Sequence, residues 1–379
     1  IDRIVFLRIA EDRQLEPENT LLDITKSDNM YKALFELYHQ ADQKYNSGLF
    51  HFKEEKDDPE GTFVDDITQG LNISNECLKK VVDSLYDSAY DFSVLPPEIL
   101  GQAYEQFLGK VITLDGDNIK IEEKPEVKKA GGVYYTPRYI VDYIIENTLG
   151  KKLEGQTPDS IKNLSVLDPA CGSGSFLIRA FQYLMDWHLA WYKENNPEKH
   201  AKAGKNNEPI LYTIKVNNLE GQEVDEYHLT LKEKRRILTE HIFGVDIDGQ
   251  AVEVTKLSLL LLVMEGYINE NPQMELFRVT RILPNLGGNI KCGNSLIGSD
   301  IKDNEEIAAM GRSEIRKTIN PFDWEYEFED IMKRGGFDVV VGNPPYILLE
   351  DVNRDSKILD YIKKTSKSAT SYKIDTYHL

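Results

Sequence analysis

The chain has 379 residues, a formal net charge of -19 and an isoelectric point near 4.9, with 41% hydrophobic and 29% charged residues. That is room for two or three globular domains, and it excludes a wholly basic nucleic-acid clamp; a local basic groove is a patch property that the total does not touch. The three cysteines, Cys77, Cys171 and Cys292, form neither a CxxC pair nor a zinc spacing, which reads as a reducing, cytoplasmic compartment.

From Ile1 to residue 111 the pattern is helical. IDRIVFLRIAEDR, MYKALFELYHQADQKY and NECLKKVVDSLYDSAYDF each repeat apolar residues at spacings of three and four, and LPPEILGQAYEQFLGKVI opens on prolines before doing the same. This segment reads as an all-α domain. Residues 112–130 are polar, with LDGDN as a turn, and suit a short hairpin or a linker. In GGVYYTPRYIVDYIIENTLG, Thr136 reads as an N-cap, Pro137 as the first helical residue and Gly150 as the stop after Leu149.

From Leu164 the rhythm becomes strand, glycine-rich turn, helix, first in LSVLDPACGSGSFLIRAFQYLMDWHLAWY and again in HIFGVDIDGQAVEVTKLSLLLLVMEGY. NIKCGNSLIG and FDVVVGNPPYI supply two more strands, so residues 131–379 read as one α/β domain with a mainly parallel sheet. The stretch from about Asp186 to Arg236 is an insertion in the first crossover, with a polar loop over Asn195–Glu208. The apolar run Leu257–Tyr267 is too short to span a membrane and reads as a buried helix, and nothing reads as a signal peptide. The chain starts inside a helical pattern and ends without a stop signal, so a piece of a longer protein is expected.

In VLDPACGSGSF, Gly172 and Gly174 leave the backbone open to a ligand, and the following helix points free N–H groups at it. A dinucleotide site wants G-x-G-x-x-G. Here the third position is Leu177, and the turn follows Asp168, which repels a pyrophosphate and attracts an ammonium. A ligand with a cationic amino-acid end fits better; a plain βα turn that needs glycine is the competing reading. In GVDID, Asp246 ends a strand, placed to accept two ribose hydroxyls, and the apolar Ile247 beside it suits the face of an adenine ring. Helix N-capping is the simpler role for Asp246 and Asp248.

FDVVVGNPPYILLE, Phe337–Glu350, runs three valines into two prolines that cannot donate to a sheet ladder, so a strand must stop there. A rigid strand exit is one reading. The other is a site in which the Asn343 oxygen and the Pro344 carbonyl accept the hydrogens of an amine, Pro345 helps hold that carbonyl rigid, and Tyr346 offers a face to a base flipped out of a duplex. No Pro-Cys pair occurs, so nothing suggests the nucleophilic plan of carbon-5 cytosine methylation.

In order, DPACGSGSF, GVDID, GNSL and NPPY, preceded by GGVYYTPRYIVDYI, resemble the motif set of S-adenosyl-L-methionine-dependent N6-adenine DNA methyltransferases whose cofactor region precedes the catalytic motif. FLRIAEDR and ILGQAYEQFLGK resemble the helical segment of type IIG restriction–modification methylases. The resemblance implies a Rossmann-like class I methyltransferase sheet with helices on both faces, behind the all-α domain. It implies that Asp168, Ala170, Gly172 and Gly174 hold the methionine part of S-adenosyl-L-methionine, that Tyr135, Thr136 and Pro137 close over its carboxylate end, and that Asp246 and Ile247 take the ribose and the adenine face. Asn294 stands where relatives often carry an aspartate near the adenine, and its amide can still bond the adenine edge. The implied partners are double-stranded DNA and a fused or separate nuclease and specificity domain, with no membrane. Because such enzymes carry a target-recognition domain after this motif, residues 1–379 alone are expected to bind the cofactor weakly and to fail to methylate DNA. Competing functions are N-methylation of protein glutamine or RNA, methylation of the cytosine amine, and a non-catalytic DNA-binding subunit.

Overall fold

The computed structural model describes residues 2–45, 50, 67–87, 91–93, 96, 99, 101, 110–115, 118–123, 136–202, 208–218, 220–266, 283–303, 315, 319–344 and 361. The helices that matter below are α1 (Asp2–Asp12), α2 (Thr20–Ile24), α3 (Met30–Tyr45), α4 (Asn75–Leu85), α5 (Arg138–Ile145), α6 (Ser175–Glu194), α7 (Leu231–His241) and α8 (Gly249–Met264). The strands are β1 (Lys110–Asp115), β2 (Asn118–Glu123), β3 (Val166–Asp168), β4 (Leu211–Asn217), β5 (Glu223–Leu229), β6 (Ile242–Asp246), β7 (Ile290–Cys292) and β8 (Val339–Val340). Among the described residues no helix is long and apolar enough to cross a membrane.

Two compact units emerge, and neither is one continuous stretch of chain. One takes residues 1–100, 182–239 and 256–287; the other takes 101–181, 240–255 and 288–379. In the first, α1 buries Phe6, Leu7, Ile9 and Ala10, the three-and-four spacing of one helix face. Phe6 meets Tyr45 of α3 edge-on with ring centroids 5.0 Å apart. The buried Glu11 accepts from Leu21 N–H at 2.7 Å and Tyr86 O–H at 2.5 Å, while burial pushes its carboxyl up. The same unit contains an antiparallel hairpin, β4–β5, inside the stretch read from sequence as an insertion in the crossover, for which no strands were expected.

The second unit holds the antiparallel pair β1–β2, a hairpin where the sequence left hairpin or linker open. It also holds a four-stranded sheet in the order β7–β6–β3–β8 with every pairing parallel. The fold is therefore mixed α/β around a parallel sheet. β3 is buried along its whole length, as a central parallel strand must be. Side chains alternate across the sheet. On one face Leu167 and Val245 join Phe322, Phe328 and Ile331, with Phe243, Trp324 and Phe337 packed around them. On the other face Gly244 lies under the first turns of α6: a Cβ there would come within 2.6 Å of Leu177 Cδ1. The Asp338 carboxylate clamps the start of the sheet, accepting from Ser165 N–H at 2.9 Å and Ser165 O–H at 3.1 Å.

Two local expectations need correction. Gly150 does not end the helix after Thr136; α5 continues through a wide π turn over Glu146–Gly150 into Lys151–Leu153. Thr148 Oγ1 and Asn147 Nδ2 donate to the Ile144 and Tyr143 carbonyls at 2.6 and 2.8 Å, and such back-bonding competes with the backbone ladder and widens it. The cap of α5 is Pro137, without a side-chain hydrogen bond, so Thr136 does not cap it. The helix expected around LPPEILGQAYEQFLGKVI lies almost wholly outside the described residues.

Candidate active site

β3 ends on Asp168, and the chain must turn at once into α6. Gly172 at φ 52° and Gly174 at φ 86° make that turn, in a region that penalises other residues. Space also excludes a side chain at Gly174, where a Cβ would lie 2.7 Å from Thr255 Cγ2. At Gly172 nothing lies within 4 Å of the Cβ position, so the loop backbone is open on that side. Thr255, fully buried on α8, donates to the Gly172 carbonyl at 2.9 Å and so holds the loop from below. Cys171 packs at Gly244, with burial pushing its thiol up, in keeping with a small packing residue.

Asp168 is 1% exposed, and its Oδ1 accepts from Ala170 N–H at 3.0 Å. Burial first, and the Asp246 charge second, push its carboxyl up to about 7. Asp246 ends β6 next door. One of its oxygens accepts from Gly172 N–H at 2.8 Å and the other from Asp248 N–H at 2.9 Å. Burial also raises the Asp246 carboxyl, against these two donors. Asp248 accepts from Gln250 N–H at 2.9 Å and caps α8, the simpler of the roles read from sequence. Ile247 is 57% exposed at the rim. Gly293 N–H donates to the Asp246 carbonyl at 2.8 Å, which brings Asn294 alongside; its Oδ1 accepts from Leu296 N–H at 3.1 Å.

β8 brings in the last segment. Gly342 leaves the sheet so close to Asp168 that a Cβ would be 2.5 Å from Asp168 Oδ1. Asn343 Nδ2 then donates to Thr136 Oγ1 at 3.1 Å. α5, which begins beyond Pro137, is tied to α6 by Arg179 Nε and Asp142 Oδ1 at 2.6 Å. Thus Thr136, Asp168, Ala170, Gly172, Asp246, Gly342 and Asn343 form a chain of direct contacts, although they come from separated stretches of sequence. Tyr135, Pro345 and Tyr346 lie outside the described residues.

Comparison with known proteins bears on this edge of the sheet. Residues 96–266 match the N-6 DNA methylase family, and residues 240–379 match the Eco57I restriction-modification methylase family. The type II restriction enzyme and methyltransferase RM.Eco57I of Escherichia coli is 35% identical over 384 residues, covering 100% of this chain and 33% of that protein. Two methylase family models thus match adjoining parts of the chain, and along its length the chain is similar to a restriction enzyme and methyltransferase. Two more relatives are a putative type II restriction enzyme and methyltransferase, RM.MjaORFECS2P of Methanocaldococcus jannaschii, and the adenine-specific methyltransferase PglX of Streptomyces coelicolor. They are 26% and 24% identical over 79% and 59% of this chain, and 27% and 15% of their own lengths. The chain thus spans a third or less of these relatives.

Three residues carry contacts at this site that the sequence reading did not assign. Thr255 sits in α8 just before its apolar run, between Val254 and Lys256, where a threonine looks incidental. Gly244 sits in β6 and Gly342 just beyond β8, where each glycine marks a close approach and not a turn. Gly342 could have been found, because a glycine placed directly before Asn-Pro-Pro at a strand exit needs a reason.

Proposed function

We propose that this segment is the cofactor-binding and catalytic part of a site-specific DNA adenine-N6 methyltransferase of a restriction–modification or phage-defence system. It moves a methyl group from S-adenosyl-L-methionine to the exocyclic amine of a flipped-out adenine. The observation that carries the reading is the meeting of the motifs at one sheet edge, with Gly342 against Asp168 and Asn343 on Thr136. In chain order, the sheet runs third, second, first, fourth strand. That order supports a Rossmann-like class I layout, in which ligands bind outside the carboxyl ends of the strands where the order reverses, here between β3 and β8. On this reading residues 131–379 form the catalytic domain and residues 1–111 a helical one.

The site suits the cofactor. Among the described residues no cationic side chain pairs with Asp168 or Asp246, so two carboxylates, one buried and one half-buried, face the loop without a counter-charge. A ligand with a cationic amino-acid end supplies one. Asp168, Ala170, Gly172 and Gly174 hold that end, and Tyr135, Thr136 and Pro137 close over its carboxylate. Asp246 accepts from Gly172 N–H on one oxygen and from Asp248 N–H on the other, and its remaining lone pairs suit ribose hydroxyls. Ile247 covers the adenine face and Asn294 its edge. The bound sulfonium provides the methyl group, so the protein needs no nucleophile of its own. Asn343 and Pro344 accept the hydrogens of the target amine and let its nitrogen turn pyramidal. Pro345 keeps that carbonyl fixed, and Tyr346 stacks on the base.

Tritiated cofactor offered with duplex DNA, tRNA and protein to the full-length protein tests the reading. Label in DNA adenine is expected. Asn343→Ala should abolish transfer and leave cofactor affinity nearly unchanged. Label confined to RNA or protein would refute the proposal.

A further inference from the structure

The Asn343 amide has two ends of nearly equal shape, and only one suits catalysis. To accept a hydrogen from the target amine, the oxygen must face it; the flipped amide sets N–H against N–H. Here the nitrogen end is turned onto Thr136, Nδ2 to Oγ1 at 3.1 Å. A hydroxyl can donate or accept, so that contact tolerates either flip. The destination of the Thr136 proton decides between them. Once the Thr136 hydroxyl donates its hydrogen bond to a group that only accepts, its oxygen can only accept from Asn343, and the Asn343 oxygen must point away. An ionised carboxylate is such a group.

The surroundings favour an anion there. Among the described residues Thr136 makes only the bond to Asn343, so its proton is available. α5 starts two residues on, at Arg138, with no side-chain cap, and its first N–H groups carry partial positive charge. The Arg179–Asp142 pair at 2.6 Å fixes that helix against α6.

We infer that Thr136 is a positioning residue: its hydroxyl donates a hydrogen bond to the carboxylate of the methyl donor and thereby locks the Asn343 oxygen toward the target amine. The inference rests on the methyltransferase reading and adds a consequence to it. Donor binding itself prepares the acceptor side of the site, so a base entering before the donor meets an undecided amide.

The test uses the full-length protein with S-adenosyl-L-methionine and with its decarboxylated analogue, which keeps the sulfonium and methyl group. At saturating donor, Thr136→Val should lower kcat about tenfold, the scale of one lost hydrogen bond. Thr136→Ser should restore it, and calorimetry should show Thr136→Val weakening binding of S-adenosyl-L-methionine but not of the decarboxylated analogue. The analogue should lower wild-type kcat by a similar factor and should not lower Thr136→Val further, because both changes break the same link. The wild-type comparison of the two donors does not depend on any variant folding. Unchanged kcat in Thr136→Val with only a raised KM would overturn the inference, as would losses that simply multiply. Absence of methyl transfer to DNA by the wild type would sink the methyltransferase reading and this inference with it, so the two failures are told apart.

Discussion

Asp168→Asn should remove much of the pH dependence of stability. The Asp168 carboxyl is raised from 3.8 to about 7, by burial first and by the Asp246 charge second. The folded chain therefore keeps this proton where the unfolded chain has released it. Stability from the group is complete below the unfolded value of 3.8 and is lost as pH rises through about 7. A shift of about 3 units, at ~1.4 kcal/mol each, makes the loss roughly 4 kcal/mol. Asparagine keeps an oxygen for the Ala170 N–H, now at 3.0 Å, but cannot ionise. Urea midpoints of the ligand-free proteins, followed by circular dichroism from about pH 5 to about pH 8, check the reasoning. The variant should gain on the wild type as pH rises, and the slope left to it belongs to Asp246, whose carboxyl is also raised. Parallel curves for the two proteins would refute the argument. A bound cationic ligand should reverse the wild-type trend, since it favours ionised Asp168.

The remaining expectations follow from single contacts. Gly342→Ala places a Cβ where Asp168 Oδ1 now sits, 2.5 Å away, and should cost about 1–3 kcal/mol of stability together with most donor affinity, read by denaturation and calorimetry. Thr255→Val keeps the shape under Gly174 but removes the bond to the Gly172 carbonyl at 2.9 Å; about 1 kcal/mol of stability and several-fold donor affinity should go. Asp338→Ala leaves Ser165 without its acceptor and should lower stability by about 1–2 kcal/mol while donor affinity holds, because the clamp lies at the far end of β3.

The parallel strands were legible because buried strands carry short apolar runs that end at glycine turns, as VLD, FGVD and DVVV do. The hairpin β4–β5 was not. Leu211 and Leu229, paired at the open end, are buried; beyond them half-buried and exposed residues alternate along β4, while β5 starts with four exposed residues, and large apolar side chains are few. Its ladder is held by backbone bonds that no composition reveals. Thr136 was misread as a cap because capping rules see only local acceptors, whereas its partner is Asn343, far along the chain. Asp246 was readable as a strand-end acid, but its grip on Gly172 was not, since a βα turn and the next strand meet only in three dimensions.

The glycine-rich turn also shows how a phosphate-type loop is turned against phosphate. A helix N-terminus presents roughly half a positive charge. Against it stand Asp168 and Asp246, and a like charge at ~4 Å is worth about 4 kcal/mol at an effective dielectric of 20. On the proposed reading, repulsion outweighs the helix once both acids are ionised, so the loop should disfavour a phosphate. The missing third glycine fits this logic. In a dinucleotide fold that glycine lets helix and strand pack closely. Here the position is Leu177, fully buried, and the close approach is made from the other side, by Gly244 of β6, where a Cβ would lie 2.6 Å from Leu177 Cδ1. The glycine stands on the strand in place of the helix, so Gly244→Ala should loosen α6 and the loop before it, read as a lower denaturation midpoint.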